Sequence, residues 1–307
     1  VRACVIFNPA AKGNKARRFR RHLDEVGAQC ELKQTAAVED ARRLAAEAVR
    51  EGFELVVAAG GDGTVNETLN GIAEVQDGLQ RTRLGVLPLG TVNVFARELG
   101  IPLRFEPAWQ TLLQGRETLV DLPVVEYRQN GEARRRHFAQ LAGAGLDARA
   151  IELVDWSTKK KVGPLAYVVA GFKALFRPAS NITITDGERT AAGQLVLIGN
   201  GRLYGGEFRI FPRADLRDGL LEVCVFPRAN WLTLLRCAAP LLLRGRLPPA
   251  VAARFQSGSF TLAGTPPAPL EVDGELIGHL PASFSVQRSR LRVIVPQICR
   301  VHDRGRA

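Results

Sequence analysis

The residues best suited by type to do chemistry lie in one segment, Val56-Val57-Ala58-Ala59-Gly60-Gly61-Asp62-Gly63-Thr64-Val65-Asn66-Glu67. Three glycines in four positions let the main chain take conformations closed to other residues and come close to a ligand. A helix starting just after them offers unpaired N–H groups to phosphate oxygens. Asp62 would repel phosphate unless it held a cation or a ribose hydroxyl, which favours a metal–nucleotide site over plain anion binding. The simpler reading is a strand-to-helix turn in which Asp62 and Thr64 cap the helix. Two more loops follow apolar runs, Asn8-Pro9-Ala10-Ala11-Lys12-Gly13 and Pro88-Leu89-Gly90-Thr91-Val92-Asn93-Val94-Phe95-Ala96, so all three could converge on one edge of one sheet. Asp218-Gly219 and Asp273-Gly274 read by themselves as β-turn aspartates. Gly143-x-Gly145 lacks the third glycine of a dinucleotide fingerprint.

The elements that must position these loops alternate. Apolar runs at residues 3–7, 55–59 and 84–87 read as strands, residues 30–33 are a further strand candidate, and residues 14–26, 38–51, 64–73 and 92–99 read as helices. Alternating strands and helices with glycines at strand ends predict a mainly parallel sheet, with its ligand beyond the carboxyl ends of the strands. After about residue 123 the texture changes to short strands. Residues 124–128 and 136–141 flank Asn130-Gly131, a hairpin signal. Residues 182–185, 194–199, 220–226, 259–262, 270–272, 282–287 and 291–295 also suit strands, interrupted by helical insertions at 165–176 and 231–243. Residues 1–123 are therefore expected to form an α/β domain and residues 124–289 a β-rich one.

Together the three loops resemble the diacylglycerol kinase catalytic-domain family, lipid kinases that include bacterial diacylglycerol kinases and sphingosine kinases. The marks are Asn8, Pro9 and Gly13, the Gly60-Gly61-Asp62-Gly63-Thr64 run, and the Pro88 loop. A Gly-Gly-Asp-Gly run also occurs in NAD kinases and phosphofructokinases, and the Pro88 loop makes the resemblance specific. It extends through Gly143-Ala144-Gly145-Leu146-Asp147-Ala148, Asn200-Gly201, Tyr204-Gly205-Gly206, residues 212–220 and Glu271-Val272-Asp273-Gly274-Glu275. What it implies is an α/β nucleotide-binding domain plus a β-sandwich-like second domain, an active-site cleft between them, and a last strand, about 290–303, returning to the first. It places Asn8, Thr35, Gly60, Gly61, Asp62, Gly63, Thr64, Val65, Asn66 and Thr91 around ATP. By the same resemblance Asp62 and Asp121, the latter ending a strand at 118–120, organise the nucleotide and its Mg²⁺. Asp215, Asp218 and the Leu220 carbonyl match a structural or activating divalent-ion site. Asp273 matches the general base, with Glu275 beside it. Many relatives carry an acid where Val94 stands.

The 307 residues, 46% apolar and 24% charged, suffice for one large or two ordinary domains and exclude disordered, collagen-like and coiled-coil chains. Lys and Arg number 42 against 31 Asp and Glu, net +11, which points to an anionic partner: nucleic acid, phospholipid or a phosphorylated ligand. No helix-turn-helix, zinc or aromatic RNA motif accompanies that charge, so nucleic acid is not expected. Seven Lys or Arg precede Asp24, and residues 134–136 and 159–161 form further basic blocks. Trp156, Leu165, Tyr167, Val168, Phe172, Leu175 and Phe176 beside the last block suit a bilayer interface or, equally, a core helix with a solvated basic edge. The five scattered cysteines fit a reducing cytoplasm, and the four histidines, without ligand spacing, are expected at the surface. Residues 162–172 and 231–243 are too short or too interrupted to span a bilayer, and the opening VRACVIFNP reads as a strand and turn, not a signal peptide. The expectation is a cytoplasmic, peripheral-membrane lipid kinase using ATP and Mg²⁺, with diacylglycerol the simplest substrate. A sphingoid base, ceramide, phosphatidylglycerol or a soluble alcohol such as NAD are alternatives, as is a non-catalytic nucleotide- or lipid-binding regulator.

Overall fold

A computed structural model describes residues 1–9, 19–152, 179–187 and 189–297, and the chain divides into two units, Val1–Leu122 with Arg288–Ala307, and Pro123–Gln287. Strands are numbered along the chain. In the first unit β1 (Ala3–Phe7), β2 (Glu31–Gln34), β3 (Leu55–Gly60) and β4 (Arg83–Pro88) pair in the order β4-β3-β1-β2, all parallel. The chain moves outward from β1 to β2 and then back past β1 to β3, so its winding reverses between β1 and β3. Every residue of β3 is buried, as are most of β1 and β4. Strands covered on both faces need continuous apolar runs, and that is what the sequence supplies. The C-terminal end of β17 (Glu275–Val295) adds a further parallel strand through Val293 opposite Leu84.

Helices Asp40–Arg50 and Asp62–Glu74 pack against one another, and the contact depends on Gly71. A β-carbon there would lie 2.1 Å from the Arg42 carbonyl oxygen and 2.8 Å from Ala45 Cβ. Glu67 locks the same pair by accepting the Ala41 N–H at 3.0 Å. Helix Phe105–Gln114, absent from the sequence expectation, lies over β4: a β-carbon on Gly85 would meet Leu112 at 2.7 Å. Its residues Phe105 and Trp109 stack, and His22 stacks on Phe105 with ring centroids 4.3 Å apart.

The second unit is antiparallel. One run is ordered β14 (Ala253–Ser257), β13 (Leu221–Phe226), β10 (Leu195–Gly199), β7 (Leu141–Gly145), β16 (Pro269–Val272), with β16 pairing to β17. Another joins β17 to β15 (Ser259–Thr265), β8 (Asn181–Asp186) and β9 (Arg189–Gly193). β5 (Arg116–Gln129) forms a hairpin with β6 (Glu132–His137) and also pairs with β17, while β11 (Leu203–Tyr204) and β12 (Phe208–Arg209) form a separate ribbon. Val196, Ile198 and Val223 share one core with Ile182, Phe260 and Phe284; the alternate residues Leu195, Leu197 and Cys224 face a second core with Phe211 and Cys237. Period-two alternation thus buries both faces of β10 and β13.

Several expectations are corrected. The hairpin's second arm is β6, six residues running from Glu132, and not residues 136–141, because two-residue turns pair immediately adjacent positions: Gln129 faces Glu132. Residues 282–287 and 291–295 belong to the single strand β17, which bends at Ser289 with φ +47°. The strand expected to end at Asp121 continues to Gln129 as β5. The helix expected directly after Thr91 begins at Val94, and within 14–26 the described helical turns are Arg20–His22 and Leu23–Gly27. Gly13, the 165–176 insertion, the 159–161 block, Cys299 and His302 lie outside the described residues. His137 is not a simple surface residue: burial and Arg135 push its pKa down to about 4, against a 3.3 Å contact with the Pro123 carbonyl. The four described cysteines are free thiols, with Cys4 and Cys224 pushed up to about 12 by burial.

Gly71→Ala tests the helix contact that sets the glycine loop on its sheet. Forcing a methyl group into backbone should destabilise the protein by about 1–3 kcal/mol, read as a lower midpoint in thermal unfolding.

Candidate functional site

The register of the first sheet brings its strand ends level. Gln34, Phe7, Ala59 and Leu87 stand side by side, so Thr35, Asn8, Gly60 and Pro88 form the next row. Backbone bonds extend that row past the ladder: Asn8 N–H donates to Ala59 O at 3.3 Å, and Thr35 N–H to Phe7 O at 3.0 Å. This edge lies where the winding reverses, the position at which open parallel sheets take ligands.

The loops after β3 and β4 are fastened to each other. Gly60 O accepts the N–H groups of both Leu89 (2.9 Å) and Gly90 (3.1 Å). A β-carbon on Gly90 would stand 2.5 Å from Gly61 Cα and 2.8 Å from Asn93 Oδ1, so glycine is the residue that permits this contact. Asn93, held at φ +54°, pins the loop from the other side: its Oδ1 accepts Gly90 N–H at 3.0 Å and its Nδ2 donates to Gly90 O at 2.7 Å. Those bonds keep residues 91–93 out of the following helix.

Helix Asp62–Glu74 starts with Gly61 at its N-cap and no side-chain cap, so Asp62 and Thr64 do not cap it. Asp62 Oδ1 instead accepts Phe95 N–H at 3.3 Å, at the start of helix Val94–Glu98. Gly60 has no room for a side chain because a β-carbon would lie 2.2 Å from Thr64 Oγ1. At Gly63, which is exposed, a β-carbon would meet nothing within 4 Å. Thr64, Val65 and Asn66 are buried, and Asn66 accepts from Asn70 through its Oδ1 (3.2 Å) and its carbonyl (2.9 Å). The open side of the loop is therefore lined by Gly61, Asp62 and Gly63, with exposed Thr91 following the paired strand.

Asp121 is 1% exposed and accepts the Ser289 N–H at 2.7 Å, where β17 bends. In the second unit the other acids serve different turns. Asp215 Oδ1 accepts Arg217 N–H at 3.1 Å, and Asp218 Oδ1 accepts Leu220 N–H at 2.9 Å while its Oδ2 takes Gln256 Nε2 at 3.3 Å. Asp273 and Gly274, at φ +47° and +85°, make the two-residue turn between β16 and β17. The Asp273 carboxylate accepts Ala139 N–H at 2.7 Å, Gln140 N–H at 2.9 Å and Leu141 N–H at 3.1 Å. Glu275 accepts Arg136 Nη2 at 2.5 Å.

A further constellation was missed by the sequence analysis. Glu271, opposite Gly143 in the β16–β7 ladder, is fully buried, and Gly274 N–H donates to its Oε2 at 2.8 Å. Among the described residues no N–H or O–H donor points at its Oε1. That oxygen and Asp147 Oδ2 lie 2.8 Å and 2.5 Å from where a Gly143 β-carbon would be. Two carboxyl groups so placed bond only if one carries a proton, and Tyr204 donates its hydroxyl to Asp147 Oδ1. Burial, then the Asp147 charge, hold Glu271 well above the usual carboxylate range; burial also raises Asp147, while its bonds from Tyr204 and Glu271 oppose that. Glu271 is thus the protonated partner. The glycine at 143 was the available signal, since the pair occupies the space its side chain would fill.

Residues 2–125 match the diacylglycerol kinase catalytic domain, and residues 140–295 match the YegS C-terminal NAD kinase beta sandwich-like domain. The chain is 31% identical to a diacylglycerol kinase of Staphylococcus saprophyticus, covering 96% of this chain and 95% of that protein. It is 29% identical to a diacylglycerol kinase of Bacillus subtilis, covering 96% and 97%. A crystal structure of a diacylglycerol kinase from Bacillus anthracis superposes with a TM-score of 0.74 at 22% identity over 96% of both chains.

The proton shared by Glu271 and Asp147 makes stability pH-dependent. Above the ordinary glutamate value of 4.5 the unfolded chain loses a proton that native Glu271 keeps, so stability should fall as pH rises toward the raised native value. Depressed His137 acts in the opposite sense, losing stability as pH falls from 6.5 toward 4. Glu271→Gln retains a donor toward Asp147 without titrating, and urea unfolding from pH 5 to 8 should show the wild type losing stability relative to this variant as pH rises.

Proposed function

Because the chain belongs to the diacylglycerol kinase family and is a lipid kinase, we propose that it transfers the γ-phosphoryl group of ATP, taken as its Mg²⁺ complex, to the hydroxyl of diacylglycerol, giving phosphatidic acid and ADP in a step of phospholipid biosynthesis. The observation that carries this reading is the level row of strand ends closed by the Gly61–Gly90 backbone contact and open at Gly63. Glycine loops with little side-chain bulk let main-chain N–H groups meet phosphate oxygens. Asn8, Thr35, Gly60 to Asn66 and Thr91 are the proposed nucleotide residues. The buried members, Thr64 to Asn66, act by shaping the loop.

Mg²⁺ supplies charge neutralisation on the phosphates during transfer. Asp62, half-buried at the loop's open side, carries the hard oxygen chemistry such an ion takes, and Asp121 is its proposed second acid. Asp215, Asp218 and the Leu220 carbonyl are likewise an all-oxygen set for a second divalent ion. Among the described residues no group of three or more His, Cys, Asp or Glu is placed for a metal, so such a site relies on main-chain oxygen to complete it.

Asp273 is the proposed general base. Three backbone N–H groups hold its carboxylate in one orientation, as a base that must meet an attacking alcohol in a set geometry requires. Glu275, paired to Arg136, holds the far side of the same turn.

Incubation with labelled ATP, Mg²⁺ and fractionated lipids should label phosphatidic acid; label on a sphingoid base, on phosphatidylglycerol or on a soluble alcohol would replace diacylglycerol as the substrate. Asp62→Asn should abolish turnover while leaving the melting temperature near that of the wild type, and near-normal activity would remove Asp62 from the site. Asp273→Asn keeps an oxygen for the Gln140 and Leu141 amides but cannot act as base. It should lower kcat by roughly 10²- to 10⁴-fold, with ATP affinity by calorimetry little changed. Full turnover in that variant would transfer the role to Glu275.

A further inference from the structure

Helix Trp231–Arg244 is apolar on two opposite sides. Inward, Cys237 is buried and Leu241 packs with it on the cluster of Leu195, Leu197 and Phe226, behind β10 and β13. Asn230 caps its start by accepting Thr233 N–H at 2.9 Å, and Gly245 at φ +63° ends it. Outward, Trp231, Leu235 and Leu243 are 62%, 59% and 83% exposed, with Leu232, Ala238 and Ala239 exposed between them. Positions 231, 235, 238, 239 and 243 follow the helical repeat and make one continuous stripe. Of the nine large apolar side chains exposed among the described residues, four are on this helix. A helix whose outer side faced only water would carry polar residues there.

The surrounding charge identifies what covers the stripe. From residue 223 to residue 270 the sequence contains five arginines and no Asp or Glu. Arg254 is committed to buried Glu222 at 3.1 Å. Arg228, Arg236, Arg244 and Arg246 are exposed and form no ion pair among the described residues. Two copies meeting through this face would bring like charges together. An anionic bilayer meets both features at once, because its headgroups take the guanidinium groups and its acyl boundary takes the apolar stripe. The helix is not long or apolar enough to cross a membrane, so it would lie in the surface.

We propose that the outward face of helix Trp231–Arg244 docks this protein on anionic phospholipid bilayers, with Trp231, Leu235 and Leu243 entering the headgroup–acyl boundary and the four arginines meeting lipid phosphates. The proposal deepens the lipid-kinase reading and rests on it for its purpose, since a diacylglycerol resides in a bilayer.

The test is co-sedimentation of the full chain with vesicles of phosphatidylcholine alone and of phosphatidylcholine mixed with phosphatidylglycerol. Wild type should partition onto the mixed vesicles and poorly onto the neutral ones. The double variant L235S/L243S, with exposed positions and an unchanged melting temperature, should partition at least about tenfold less; R236Q and R244Q should each lose about fivefold. Equal binding by L235S/L243S and wild type, or equal binding to both vesicle types, overturns the proposal. So does a wild-type dimer in gel filtration that L235S/L243S converts to monomer with no change in sedimentation. Phosphorylation assays separate the two readings: L235S/L243S should match wild type on diacylglycerol in detergent micelles and fall behind on vesicles. Wild type that binds the mixed vesicles yet phosphorylates diacylglycerol in neither form supports docking and overturns the substrate assignment alone.

Discussion

The candidate site depends on one contact between two main chains, Gly61 against Gly90. A single β-carbon on Gly90 would stand 2.5 Å from Gly61 Cα, and separating the loops to admit it would break the bonds from Leu89 and Gly90 to Gly60 O. Those bonds continue the β3–β4 pairing one step beyond the sheet. Asn93 then folds the second loop back on itself, and Asp62 bonds the helix that follows. The result is a pair of loops fastened to each other through main chain, with Gly63 exposed and open.

The second unit reaches order by another route, in which carboxyl groups collect backbone amides. Asp273 takes three from residues 139–141, and Glu271 takes one from Gly274. Glu222, fully buried, takes Arg213 N–H at 2.6 Å and the guanidinium of Arg254, which also donates to Ile210 O at 2.6 Å. The bonds from Asp273 remove the penalty of unpaired amides at buried Ala139, Gln140 and Leu141. The two buried glutamates tie down segments that carry a proposed functional acid: Glu222 the segment before Asp215, and Glu271 the turn containing Asp273. Placement of those acids is thus a consequence of neighbours that themselves touch no ligand.

Layering in this unit also explains an unusual composition. β10 and β13 are buried on both faces, so their sequences are apolar except for Glu222, whose charge is met by Arg254, and helix Trp231–Arg244 covers the second face through Cys237 and Leu241. A helix recruited for that purpose needs only one apolar side. Its outward Trp and Leu residues are surplus to the packing of the described residues.

The sequence by itself determined the architecture and the glycine loops. Continuous apolar runs ending in glycine specify buried parallel strands and tight strand-to-helix turns, and alternating short runs specify antiparallel sheets, because both patterns are local and follow the pitch of the backbone. Asn130-Gly131 was legible for the same reason. Tertiary structure decided what each acid does. Asp62 could be read as a helix cap, yet its bond goes to Phe95, 33 positions along the chain. Asp121, read as a strand end, is an interior residue of β5 that meets Ser289. Asp147 and Glu271 look like ordinary charged positions until the β7–β16 ladder sets Glu271 against Gly143 and leaves no side chain between the two carboxyl groups. A carboxylate's role is set by the donors and charges within a few ångströms of it, and here those partners come from segments far apart in the chain, whose proximity no local pattern encodes.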